Sequence, residues 1–134
     1  MSSRRQERRL AIEILFQADV TGTDGRTALE GRVGSGSSVP EFTRGLVEGV
    51  SDHLEEIDRT IASHSEGWTV DRMASVDRTV LRVAAYELAF GGQVPGVAID
   101  EAVRAAKDLS TEDSGRFVNG ILGKIARELD PDQT

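Results

Sequence analysis

Three features of the sequence predict an all-α fold, a bundle of about six to seven helices. The stretch Met73–Phe90, MASVDRTVLRVAAYELAF, contains neither glycine nor proline. At about 100° per residue, its Val76, Val80, Leu81, Val83, Ala84 and Leu88 cover more than half of a helix circumference. A surface helix usually hides a single stripe, so this one is expected at the centre with neighbours on several sides. The second feature is that the segments before and after it repeat apolar residues every three or four positions, and no segment alternates convincingly as a strand does. The third is punctuation: Pro40 and Pro95 stand where helices open, and Gly67, Gly91 and Gly92 where they close.

The first helix is expected from Ser2 or Ser3 to about Asp19. Ser3 with Gln6 fits a capping box, and Leu10, Ala11, Ile14, Leu15 and Ala18 form the core face. Arg4, Arg5, Arg8 and Arg9 crowd its first turns, where the helix dipole prefers acids; such local conflicts tend to mark function. By i+4 steps Arg5, Arg9, Ile12 and Phe16 share one side, a basic stripe ending in an aromatic. Residues 22–39 are rich in glycine and serine and read as a flexible connector, with only a weak helical signal over Arg26–Arg32. Pro40 opens a helix carrying Phe42, Leu46 and Val50 on one face. Leu54, Ile57 and Ile61 continue the pattern to Gly67, and Trp68 reads as a core plug at the junction. Within the central helix Arg78, Arg82 and Tyr86 form a polar strip. Asp77 and Glu87 project into its apolar arc, and an ionised carboxylate there needs a partner; for Glu87 the candidates are Lys124 and Arg127. After Pro95, Ile99, Ala102, Val103, Ala106 and Leu109 share a face. Ser110 to Asp113 supply cap chemistry for a last helix that buries Val118, Ile121, Leu122, Ile125 and Leu129. Gly120 lies off that stripe and would admit a close neighbour; Asn119 reads as a buried amide.

At 134 residues the chain is one domain, long enough for a core without staples. No cysteine is present and only two histidines, His53 and His64, both read as surface residues. A metal site would have to be completed by carboxylates, and neither metal nor cofactor is expected. No apolar run approaches the ~20 residues of a membrane span, and no signal-type apolar stretch follows the basic N-terminus, so a soluble, cytoplasmic protein is expected. No helix pairs carboxylates with a histidine and no G-x-S-x-G occurs, which leaves an enzyme unsupported. The net charge is −7, yet residues 1–10 carry a local +3 and residues 11–134 carry −10. A basic tip on an acidic body suggests a small anionic target and a basic partner; a merely solvated basic end is the plainer alternative.

Taken together, VDRTVLRVAAYEL (76–88), VPGVAIDEAVRAAKDLS (94–110), DSGRFVNGILGKIA (113–126) and the arginine-rich RRQERRLAIEILFQAD (4–19) resemble the NusB family of transcription antitermination factors. FTRGLVEGV and EEIDRTI fit the segment between. Asp100 and Gly123 depart from the pattern, where asparagine and aspartate are frequent. The resemblance implies two small helical subbundles, here about 1–66 and 67–130. It implies binding of the boxA element of ribosomal RNA leader transcripts jointly with the ribosomal protein NusE. The assembly would join the RNA polymerase elongation complex with other Nus factors, and some members of the family self-associate as homodimers. An RNA-binding accessory domain related to the N-terminal regions of rRNA methyltransferases is the alternative, though no cofactor-binding segment follows here.

On that reading Arg4, Arg5, Arg8 and Arg9 contact RNA phosphates. Phe16 stacks on an unpaired base or, alternatively, packs against a neighbouring helix. Phe117 lies near a helix N-terminus, on the RNA side by the resemblance and in the core by its pattern. Asp113 and Ser114 read as caps, in a turn that the resemblance places beside RNA. Asp77 stands where the resemblance implies an acid presented to NusE; pairing with Arg78, Arg82 or a neighbouring helix is the competing explanation.

Overall fold

The computed structural model describes residues 2–130; residue 1 and residues 131–134 of the domain expected over 1–134 lie outside them. Among the described residues the chain forms α1 (Arg4–Thr21), α2 (Gly25–Gly34), α3 (Glu41–Asp52), α4 (Leu54–Ser63), α5 (Ser75–Phe90), α6 (Pro95–Leu109) and α7 (Glu112–Leu129), with a 3-10 turn at Val70–Arg72 and no strand. The all-α expectation holds. Helix α5 is the axle: it packs on α1, α3, α4, α6 and α7, while α1 also packs on α2 and α3 and α6 pairs with α7. One continuous apolar cluster runs from Ala11, Ile14 and Leu15 of α1 through Val80, Leu81 and Ala84 of α5 to Val118, Leu122 and Ile125 of α7.

The start of α1 is fixed as the sequence predicts. The Ser3 hydroxyl accepts from the Gln6 N–H at 3.1 Å, and Gln6 Oε1 accepts from the Ser3 N–H at 2.8 Å. Gly22 closes the helix in the left-handed region at φ 76°, a conformation that glycine enters without steric cost.

The glycine-rich stretch is not all connector. Asp24 caps α2 by accepting from the Thr27 N–H at 2.8 Å, and Leu29 enters the core. Gly25 works by close approach. A Cβ there would sit 2.4 Å from Ser51 Oγ and 2.8 Å from Leu15 Cδ2, so this glycine lets α2 lie down on α1 and α3. Composition alone reads such a residue as looseness.

The polar strip of α5 turns inward to two acids. Arg78 Nη2 donates to Asp19 Oδ2 at 2.6 Å, and its Nη1 donates to the carbonyls of Val70 and Met73, each at 3.0 Å. Arg82 bonds Asp58 through Nε at 2.8 Å and reaches Asp19 Oδ1 at 3.3 Å. These bonds tie the end of α1, the 3-10 turn and α4 to the axle. Tyr86 lies across α3 at Gly49, where an added Cβ would fall 2.2 Å from the ring's Cζ.

Glu87 is 2% exposed and its Oε1 accepts from Arg8 Nε at 2.6 Å; Arg8 itself is 7% exposed. Both residues depart from the sequence expectation. Glu87 pairs with α1 rather than with Lys124 or Arg127, and Lys124 sits 3.5 Å from Glu66 instead. Arg8 belongs to the interior, because its face of α1 is the one turned to α5.

Other departures share one cause: periodicity shows which residues share a face but not where the neighbour ends. Trp68 is 52% exposed rather than a plug, and Leu109 and Leu129, each at a helix end, are exposed. Asn119 is exposed, and space around Gly120 is open. The close approach is made by Gly115, whose Cβ would meet Lys107 Cγ at 2.6 Å. Helix α6 buries Ala98, Ala102, Ala105 and Ala106. His64 is not a plain surface residue: its Nδ1 lies 2.7 Å from the Thr60 carbonyl and its Nε2 meets Glu128 of α7.

Two outcomes follow from the buried charges. Arg8→Met should lower stability by about 3–5 kcal/mol, because it strands a buried carboxylate, whereas Arg8→Met with Glu87→Leu should recover most of the loss. Urea denaturation of both variants measures this. Asp19 supplies the pH dependence. Its burial pushes the carboxyl up, but hydrogen bonds from Arg78 and Ser75 and the charges of Arg78 and Arg82 outweigh that and hold it below the usual range. The stability it contributes is present above the unfolded value of about 4 and is lost as pH falls through the lower folded value. Asp19→Asn should therefore flatten the acid limb of a stability-versus-pH curve; an unchanged limb would assign acid lability to other carboxylates.

Candidate nucleic-acid interface

The first turns of α1 place four arginines in three environments. Arg8 points into the core. Arg4, one turn earlier on nearly the same face, lies over the Phe42 ring of α3 at 4.2 Å to the centroid and pairs with Glu7 at 3.2 Å. Arg5 and Arg9 lie on the other flank and face α6. Arg5 donates from Nε and Nη2 to the two carboxylate oxygens of Glu101, each at 3.0 Å, and Arg9 Nη2 donates to Asp108 at 2.9 Å.

Between these helices and the start of α5 runs an open groove of about 780 Å³, whose lining includes Arg5, Arg9, Ile12, Phe16, Val76 and Arg104. Its floor is apolar and its rims carry guanidinium groups. Phe16 is half-buried and lines the groove; Ile12, on the same side of the helix, is buried beneath it. The ion pairs leave an electrostatic mark. The hydrogen bond from Arg5, with its charge, keeps Glu101 below the ordinary carboxylate range despite partial burial. Arg9 does the same to Asp108, and Glu101 raises Arg5. Both carboxyls are therefore charged at neutral pH.

The turn before α7 is built differently. Thr111 is the cap: its Oγ1 accepts from the Ser114 N–H at 3.1 Å. Ser114 is buried, with its hydroxyl 3.0 Å from that of Ser110, while Asp113 is exposed and pairs with Arg116 one turn on. The cap role read for Asp113 and Ser114 thus belongs to Thr111. Phe117 packs against the core and meets Trp68 edge to face, with centroids 6.0 Å apart. None of Asp113, Ser114 and Phe117 lines the groove.

Asp77 stands in the first turn of α5, beside the groove residue Val76. It is half-buried, and its Oδ1 is buried without a hydrogen-bond partner. Arg78 and Arg82, the internal partners considered for it, are engaged by Asp19 and Asp58.

The structure therefore brings Arg5, Arg9 and Phe16 together, sets Arg4 on an adjoining face and removes Arg8. It adds three α6 residues that the sequence reading missed: Glu101, Arg104 and Asp108. Their i, i+3, i+7 spacing shows a shared helix face, but nothing local in the sequence says that α1 lies over it. Among the described residues no group of histidines and carboxylates is placed to hold a metal ion, and no helix is long and apolar enough to cross a membrane.

Comparison with known proteins bears on the whole chain. The NusB family model matches residues 5–127. The transcription antitermination protein NusB of Saccharopolyspora erythraea is 50% identical over 130 residues, covering 94% of this chain and 88% of that protein. The NusB of Symbiobacterium thermophilum is 48% identical, covering 95% of this chain and 91% of its own length. Among solved structures, T. maritima NusB superimposes with a TM-score of 0.84 at 36% identity, over 95% of this chain and 92% of that one. The NusB chain of a crystal structure of antitermination factors NusB and NusE with double-stranded RNA gives a TM-score of 0.82 at 28% identity, over 93% and 96% of the two chains. Sequence and architecture agree from the arginine-rich helix to the end of α7, and the chain belongs to the NusB family.

Proposed function

We propose that this protein is a non-catalytic transcription antitermination factor. It binds boxA RNA of ribosomal RNA leader transcripts together with the ribosomal protein NusE, and joins the RNA polymerase elongation complex with other Nus factors. The observation that carries the reading is the α1–α6 groove, where Arg5 and Arg9 rim an apolar floor that includes Phe16. Guanidinium groups suit phosphates, and a half-buried aromatic suits an unpaired base. The relative in complex with NusE and RNA supports the same pairing of partners. A body of −10 beyond the basic tip favours a basic protein partner and disfavours RNA bound alone.

The geometry refines which arginines to test. Charge reversal at Arg5 and Arg9 would place new carboxylates against Glu101 and Asp108, so neutral replacement is the cleaner experiment. Arg5→Gln with Arg9→Gln should weaken boxA RNA binding about tenfold or more while the protein stays folded with a modestly lowered urea midpoint, since a half-exposed ion pair contributes about 1 kcal/mol. Unchanged affinity in the folded double variant would sink the phosphate-contact reading. With Arg8 withdrawn, three arginines of α1 remain for phosphates. The salt slope of the protein without NusE should then be near −2, at about −0.7 per phosphate on a single strand.

Asp77 separates partner from RNA. Asp77→Asn keeps the shape, removes the charge and relieves a buried carboxylate oxygen that has no internal partner. Affinity for NusE should fall, with RNA affinity and stability nearly unchanged. If titration with NusE shows no loss, the Asp77 charge lies outside that interface.

A further inference from the structure

The groove's cations are not free. Arg5 is held in a two-point ion pair with Glu101 and Arg9 in a single one with Asp108. Both acids stand on α6, and Asp108 is largely exposed. A phosphate approaching either guanidinium must compete with a carboxylate already bonded to it. Arg104 stands between the two acids in sequence, three residues after Glu101 and four before Asp108, on the same rim of the groove. Among the described residues no carboxylate lies within ion-pair distance of Arg104, although it is close enough to act electrostatically on both Glu101 and Asp108. Side chains at i, i+3 and i, i+4 on a helix are within reach of one another.

We propose that Glu101 and Asp108 are internal counter-ions, exchanged for RNA phosphates when the groove is filled, and that Arg104 receives the two released carboxylates on the surface of α6. The proposal rests on the RNA-binding reading above and concerns how that site is regulated. In the free protein the acids keep the stripe neutral and ordered. On binding, the carboxylates swing about one helical turn toward Arg104, which shares its single positive charge between them, and water covers the remainder at the largely exposed Asp108. An isolated anion gains little, because it replaces one ion pair by another. A polyanion that engages Arg5 and Arg9 at once gains the second contact without a second association cost. The acids thus discriminate by density of phosphates as well as by charge.

The test compares Glu101→Gln with Asp108→Asn against a double variant of equal charge change outside the groove lining, Glu30→Gln with Glu55→Gln. Both control residues are exposed and without ion pairs among the described residues. Binding of a single-stranded boxA RNA is measured for each in the presence of NusE, with folding checked by urea denaturation. The groove variant should bind about threefold to tenfold more tightly than wild type, the range expected when two partly exposed ion pairs no longer compete. The control should gain less than about twofold, since neither of its carboxylates is paired with a groove arginine and exposed charges are screened at physiological salt. Should the double groove variant fold poorly, Asp108→Asn alone is the substitute, because that side chain is exposed. Arg104→Gln completes a cycle: it should weaken binding in the wild-type background and have no effect once Glu101 and Asp108 are neutral. Equal loss in both backgrounds would mean that Arg104 touches RNA directly and would overturn its receiving role. A groove variant no tighter than the control, with wild type binding normally, overturns the exchange alone. Absence of RNA binding by wild type and every variant overturns the RNA reading and this proposal with it.

Discussion

The buried pair between Arg8 and Glu87 sets the roll of α1, and much of the surface follows from that roll. Two opposite charges taken out of water stabilise each other only at close range and are costly apart. With Glu87 fixed on the axle helix, α1 has one rotation about its axis that satisfies Arg8. Successive side chains turn by about 100°. Arg4 then lands over Phe42, on the same side as Arg8, while Arg5 and Arg9 land on the flank that meets α6. A single internal contact distributes a basic cluster over two separate faces.

A second set of charges holds the other end of α1. Asp19 is shared by Arg78 and Arg82, and Arg82 also grips Asp58. The helix is pinned near its start through Arg8 and near its end through Asp19, both times to α5. Between the pins Ala11, Ile14, Leu15 and Ala18 supply ordinary apolar burial. Such a helix has little freedom to slide, so its outward side chains hold their places relative to α5 and α6 without a ligand. Preorganisation of this kind lowers the ordering cost of association.

The sequence made the helices, their order and most of the core legible, because amphipathic period and punctuation are local signals. It also exposed half of the central ion pair: Glu87 on an apolar arc demanded a partner. The other half lay 79 residues away, and arginine at an N-terminus reads as exposed unless its acid is known. The same limit applies to the groove. The stripe of Arg5, Arg9 and Phe16 could be drawn on one helix, but the acids that neutralise it belong to α6, and pairing of elements distant in sequence is not a local property. Glycine misled for a related reason. Gly25 looks like flexibility in a string of glycines and serves close packing against α3, a role visible only with α3 in place.

Helix α6 rests on the bundle through the methyl groups of Ala98, Ala102, Ala105 and Ala106. Half-buried Ile99 and Val103 add longer side chains to this seat, but the fully buried contacts are alanines, which let the backbone of α6 approach closely. Its two sides therefore answer to different rules of variation. On the inner side any residue larger than alanine acts as a shim, lifting the whole helix and widening the groove that it walls. On the outer side the exposed Arg104 and Asp108 can be exchanged without disturbing that packing. Related proteins could thus retune the charge of this wall residue by residue, while its seat on the bundle stays set by the small side chains buried beneath it.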